Sequence, residues 1–191
     1  IVLTITPGKV TAIVGYSGSG KTTLLKLLLK FYQPLSGQIQ LDQVNLAHVD
    51  TAAWRQRCGV VMQDGHIFSD TIARNIAIAD EIIDLQRLQE AAQIANIREF
   101  IETLPLGYET RIGVEGHGLS RGQKQRILIA RAIYKNPEYL FFDEATNALD
   151  ASNEKVIVDN LKQYYRGRTV VVIAHRLSTV KTAEQIVVLN M

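Results

Sequence analysis

One run of residues limits what this chain can become more than any other: Gly15-Tyr16-Ser17-Gly18-Ser19-Gly20-Lys21-Thr22. It matches G-x-x-x-x-G-K-[ST], directly after a β-branched run, Val10 to Val14, and directly before the apolar body of a helix, Leu24 to Leu29. Between a strand and a helix, the glycines let the backbone curl so that successive N–H groups converge into an anion nest. The helix that follows adds its positive end. Lys21 is then placed to reach the β- and γ-phosphates of a nucleotide, and the Thr22 hydroxyl to ligate Mg²⁺. Gly15, Tyr16, Ser17, Gly18, Ser19, Gly20 and Thr23 complete the cradle. A glycine-rich turn with a chance lysine is the competing explanation, and the flanking strand and helix weigh against it.

The rest of the chain alternates short β-branched runs with longer helical patterns, which predicts an α/β fold with a mainly parallel sheet flanked by helices. Gln38 to Leu41 alternates with period two, as a half-exposed antiparallel strand does, and Gly59 to Met62 reads as a short strand. From Asp70 to about Ile101 the pattern turns helical, with Leu85, Leu88, Ala92 and Ala95 three and four apart. A glycine-dense loop, Gly113 to Gly118, leads into a helix from about Gly122 to Tyr134, which Asn136-Pro137 ends. Strand Tyr139 to Phe142, a helix from Asn153 to about Tyr165, strand Thr169 to Ala174 and strand Gln185 to Leu189 follow.

Length and composition exclude several classes. At 191 residues and 47% hydrophobic, the chain suits one domain with a core that needs no staples. Its single cysteine, Cys58, cannot close an internal disulfide and suits a reducing compartment. Lys and Arg total 21 against 19 Asp and Glu, a net +2, too balanced for a broad nucleic-acid surface. No apolar run approaches the ~20 residues of a membrane helix. The start at Ile1 carries no basic leader and the end follows an apolar strand, so the chain reads as a piece of a longer polypeptide.

Two further segments carry chemistry. Tyr139-Leu140-Phe141-Phe142-Asp143-Glu144 is a buried-type strand ending in adjacent acids. Ligands of open parallel sheets sit at the carboxyl ends of strands, so both acids arrive where a nucleotide would be. Asp143 is assigned to the Mg²⁺ shell and Glu144 to the attacking water. Leu119-Ser120-Arg121-Gly122-Gln123 opens a helix, and Ser120 with Gln123 forms a capping box.

That last segment is similar to the L-S-G-G-Q signature of the ATP-binding cassette (ABC) ATPases. The family's other landmarks fall in order around it. Gln63 resembles the Q-loop glutamine, Ala148-Leu149-Asp150 the D-loop and His175 the switch histidine. Ile67 to Ile76 and Thr110 to Gly118 are similar to exporter stretches, and Lys124 to Tyr134 with Asn147-Ala148-Leu149-Asp150 most resembles bacterial peptide and bacteriocin exporters. The resemblance implies a P-loop NTPase with an antiparallel β portion and a helical subdomain, about 64–135, carrying the signature. It implies ATP and Mg²⁺ as cofactors, Lys21, Glu144 and His175 as catalytic residues, and Thr22, Gln63 and Asp143 at the metal. Ser120, Gly122, Gln123 and Asp150 would contact nucleotide. The implied partners are a second ABC ATPase domain, head to tail, and a transmembrane domain of the same polypeptide at the cytoplasmic face of a bacterial inner membrane, with no nucleic acid.

The departures are specific. Arg121 stands where the signature has its first glycine, which is tolerable only if the backbone there needs no positive φ. Val114 takes the place of a glutamate common after the glycine matching Gly113. The family's adenine-stacking aromatic lies upstream of Ile1. Relatives that maintain chromosomes insert a long coiled coil before the signature, whereas Lys21 to Leu119 is compact and lacks sustained heptads.

Overall fold

The computed structural model describes residues 1–114, 116, 118–143, 151–174 and 180–190, with backbone alone for 151–153. One strand organises the principal sheet. In β1 (Val10–Gly15) the residues from Val10 to Ile13 are buried on both faces, which places the strand inside a sheet rather than at its edge. It lies parallel between β8 (Thr169–Ile173) and β9 (Gln185–Leu189), pairing Val10 with Val170 and Gly15 with Leu189. The five-stranded order is β4–β7–β8–β1–β9, with β4 at Cys58–Val61 and β7 at Tyr139–Asp143. β7 also runs parallel to β8, in a register that sets Asp143 beside Ile173. Since Ile173 in turn lies beside Ile13, the carboxyl ends of β1, β7 and β8 open at one edge.

The described chain divides into two compact units. The first comprises Ile1–Val60, Pro137–Asp143 and the segment from Gly167. It holds most of the principal sheet, α1 (Lys21–Leu28), the antiparallel pair β2 (Gln40–Leu41) and β3 (Val44–Asn45), and α2 (Thr51–Gln56). Asp50 caps α2, its Oδ1 accepting from Ala53 N at 2.8 Å.

The second unit takes in Val61–Asn136 and α7 (Ala151–Tyr164). Its centre is α6 (Arg121–Tyr134), whose Ile127, Ile129 and Ala130 are fully buried. The stretch that reads as helical from Asp70 to about Ile101 opens with a short strand and holds three separate helices. It begins as β5 (Asp70–Thr71), paired antiparallel with β6 (Arg111–Ile112), and continues as α3 (Ile72–Ile76), α4 (Leu85–Ile94) and α5 (Arg98–Thr103). Caps cause the breaks. Thr71 Oγ1 accepts from Arg74 N at 3.1 Å and Asp84 Oδ1 from Arg87 N at 3.0 Å, each starting a helix. Asn96 at φ 52° stops α4, with Ile97 N donating back to Ala92 O at 2.9 Å.

Charge on a helix ordinarily marks a solvated face, as at Lys124 and Lys135, yet Arg126 and Arg131 of the same run are half-buried. Arg126 Nη1 donates to Asn96 O at 2.6 Å. Arg131 Nε donates to Asn75 O at 2.7 Å and Nη1 to His66 O at 2.9 Å, and burial pushes its guanidinium below its ordinary value. Asn75 itself is 0% exposed. Its Oδ1 accepts from Phe68 N at 2.8 Å, and its Nδ2 donates to Phe68 O at 3.0 Å and Thr71 O at 3.0 Å. The amide thus stitches the exposed turn before β5 onto α3.

Asn75→Ala would leave these part-buried backbone groups without their partner, so it should cost about 2 kcal/mol. Urea unfolding of the two proteins measures this directly. A loss below about 1 kcal/mol would show that water replaces the amide.

Candidate functional site

The first unit gathers the phosphate-loop residues around the start of α1. β1 ends at Gly15, where an added Cβ would lie 2.4 Å from Leu189 O of the neighbouring strand, so no side chain fits. The chain then turns, with Ser19 N donating to Tyr16 O at 3.1 Å. Gly20 occupies the N-cap position of α1 at φ 89°, a left-handed conformation that glycine adopts without strain. Tyr16, Ser17 and Gly18 are exposed along the rim, and Tyr16 is 77% exposed.

No described side chain caps α1, so the N–H groups of its first turn face outward unpaired by the protein's own hydroxyls or carboxylates. The Ser19 hydroxyl is also buried and has no partner among the described residues. Lys21 is 6% exposed, and its Nζ donates to Gly15 O at 3.0 Å and Tyr16 O at 2.8 Å. An ammonium has three donors, so one remains for an anion in the cradle. Thr23 follows one position on, in the same first turn.

Next to this turn, Thr22 Oγ1 donates to Asp143 Oδ2 at 2.9 Å, joining residues 121 apart in sequence. Asp143 is 1% exposed at the carboxyl end of β7. A hydroxyl and a carboxylate side by side are hard oxygen donors of the kind Mg²⁺ takes in phosphate sites. The donor set therefore fits the expected metal, and the uncapped helix start with its orphan hydroxyl fits a polyphosphate.

The signature residues lie in the second unit and are organised differently. Ser120 caps α6, its Oγ accepting from Gln123 N at 3.2 Å while Gln123 Oε1 accepts from Ser120 N at 2.8 Å. This is the capping box that the spacing predicts. Arg121, the departure from the family pattern, is the first residue of α6, exposed and without a positive φ, so the missing glycine leaves no backbone strain. Gly122 follows, half-buried. Gln63 is exposed in the turn after β4, also in the second unit. Glu144, Asp150 and His175, with Ala148 and Leu149, lie outside the described residues.

Sequence reasoning missed the anchoring of α1 at its far end, where Trp54 Nε1 donates to Leu28 O at 2.8 Å. The lone tryptophan of the chain, set in a short capped helix, was the available signal.

Comparison with known proteins adds independent findings. A family model described as "ABC transporter" matches residues 1–147. The chain is 49% identical over 188 residues to the toxin RTX-I translocation ATP-binding protein of Actinobacillus pleuropneumoniae, covering 98% of this chain and 27% of that protein. It is also 49% identical to the exotoxin translocation ATP-binding protein PaxB of Pasteurella aerogenes, covering 98% of this chain and 26% of that protein. Among solved structures, a bacterial Atm1-family ABC exporter with ATP bound superposes with a TM-score of 0.92 at 44% identity, over 97% of this chain and 32% of that one. The chain thus spans about a quarter of the length of the curated relatives it matches.

Ser120→Ala should lower stability by about 1 kcal/mol through loss of the cap, whereas Arg121→Gly, at a helical position, should lower it by a similar amount through propensity. Thermal unfolding of both variants checks the pair. An Arg121→Gly protein more stable than the natural one would show hidden strain at this position.

Proposed function

The chain belongs to the ABC transporter family, and we propose that it is the ATP-binding and hydrolysing motor domain of an exporter. The observation that carries this reading is the uncapped start of α1, with Lys21 curled over the loop and Thr22 bonded to Asp143. A triphosphate enters the cradle with its negative oxygens on the first-turn N–H groups and the Lys21 ammonium. Thr22 and Asp143 would hold Mg²⁺, which when bound neutralises phosphate charge.

Glu144 accepts a proton from the attacking water as that oxygen bonds to the γ-phosphorus and the bond to the β-phosphate breaks. ADP and inorganic phosphate leave. His175 and Lys21 stabilise the charge spread over the transferring oxygens.

The segment from about 64 to 135 serves as the signature-bearing subdomain. Two such domains close head to tail on ATP, Ser120, Gly122 and Gln123 of one facing the phosphates held by the other, with Asp150 at the junction. Hydrolysis removes the favoured contact and the pair opens, which is gating by differential binding of two states. A transmembrane domain of the same polypeptide converts this cycle into export across a bacterial inner membrane, with the motor on the cytoplasmic face. Among the described residues, no helix is long and apolar enough to cross a membrane. The toxin-translocating relatives favour a polypeptide cargo.

Lys21→Ala should weaken Mg-ATP binding about tenfold or more by titration calorimetry. Glu144→Gln should keep the affinity, cut turnover by ~10²-fold or more and give an ATP-stabilised dimer on size-exclusion chromatography. Undiminished binding in the first variant, or normal turnover in the second, removes the corresponding assignment.

A further inference from the structure

The far end of α1 is held by an arrangement that none of the motifs explains. The helix closes in a Schellman turn, with Phe31 N donating to Lys26 O at 2.8 Å and Lys30 N to Leu27 O at 3.0 Å. Lys30 takes the left-handed position at φ 56°, where glycine is usual. This turn leaves the next carbonyls, those of Leu28, Leu29 and Lys30, pointing off the end of the helix.

Side chains of α2 take all three. Trp54 Nε1 donates to Leu28 O at 2.8 Å, Arg55 Nε to Leu29 O at 3.2 Å and Arg55 Nη2 to Lys30 O at 3.0 Å. The Arg55 guanidinium also lies over the Phe31 ring, 4.4 Å from its centroid. A fixed cation therefore sits on the negative end of the helix whose positive end carries the phosphate loop.

The contacts of Trp54 complete a circuit. Its ring packs on Tyr139, the first residue of β7, with centroids 4.9 Å apart. The last residue of the same strand, Asp143, accepts the hydrogen bond from Thr22 at the opposite end of α1. The helix is thus tied to β7 at both ends, through Trp54 and Tyr139 at one and through Asp143 and Thr22 at the other. An eight-residue helix is only ~12 Å long, so a tilt at its C-terminal end displaces the N–H groups at its start.

We infer that Trp54 and Arg55 are positioning residues for the phosphate loop, setting the angle at which α1 presents its first-turn N–H groups to a triphosphate. They do this without touching the ligand. The inference rests on the reading of Gly15–Thr22 as the triphosphate site, and its test separates the two.

Mg-ATP affinity is measured by titration calorimetry on the 191-residue chain and on five variants, Lys21→Ala, Arg55→Ala, Arg55→Lys, Trp54→Phe and Arg98→Ala, at a temperature where each is folded. Thermal midpoints without nucleotide are recorded in parallel. Arg98 pairs with Glu102 along α5 in the second unit and, among the described residues, has no hydrogen bond or ring contact with α1, α2 or β7, so its variant controls for general destabilisation.

Arg55→Ala and Trp54→Phe should each weaken Mg-ATP roughly three- to tenfold. Arg55→Lys, whose ammonium cannot reproduce the fork, should recover part of the loss. Arg98→Ala should bind as the natural chain does. A purely structural role would lower thermal midpoints and leave the affinity of the folded protein unchanged, and that result overturns the inference. If Arg55→Ala does not fold, Trp54→Phe, which keeps an aromatic ring against Tyr139 and loses only the indole donor, decides alone. If Lys21→Ala binds normally, the phosphate-loop reading falls and takes this one with it. If Lys21→Ala is weak while the Arg55 and Trp54 variants bind normally, only the positioning role is refuted.

Discussion

A helix that begins without a cap is the feature on which the rest of the molecule depends. Leaving first-turn N–H groups unpaired is unfavourable wherever they are shielded from water, and most helices answer with a serine, threonine or aspartate. The chain does so at Asp50, Thr71, Asp84 and Ser120, while α5 starts at Ile97 without a side-chain cap and, among the described residues, without any glycine turn or buried orphan hydroxyl before it. At α1 it places Gly20 instead, and it buries a Ser19 hydroxyl nearby without a partner. Such a concentration of unsatisfied donors is where a polyanion binds most strongly.

The sheet explains why this helix start can be held open. β1 is paired on both sides from Thr11 to Ile13, its last residues Val14 and Gly15 stay paired with β9, and Gly15 is pressed against the Leu189 carbonyl. The register that sets Asp143 beside Ile173, and Ile173 beside Ile13, brings an acid to the same edge without any contact local in sequence. Binding groups thus come from strand ends in a rigid parallel sheet, the usual logic of open α/β folds. Ser120 stands apart from this. Its hydroxyl oxygen accepts from Gln123 N, which leaves the O–H proton free to donate beside an exposed helix start.

Much of this was legible from residue types and spacing. The β-branched run Val10 to Val14 became β1, the strand Thr169 to Ala174 became β8 with one residue fewer, and S-x-x-Q became a capping box. These signals are local and strong. The pairing of β5 with β6 was not legible, because two-residue strands carry no periodicity and owe their existence to partners some forty residues away. The breaks within 70–101 were written in Thr71, Asp84 and Asn96, yet the apolar spacing of the whole stretch masked them. Arg131 misled for another reason. Charge on a helix face suggests solvent, and only the fold shows that Asn75 and His66 offer it carbonyls. Glu144, read from the adjacent acids that end a buried strand, and His175, read from the resemblance, lie outside the described residues.

The central claim is that the amides of one glycine-lined turn receive the phosphates. A ¹⁵N-labelled sample titrated with Mg-ATP, followed by amide-resolved NMR, tests it without altering a residue. The account predicts that the amides from Gly15 to Thr23 shift most and saturate together with a single affinity. Saturating shifts centred on another segment, with those amides unmoved, would contradict it.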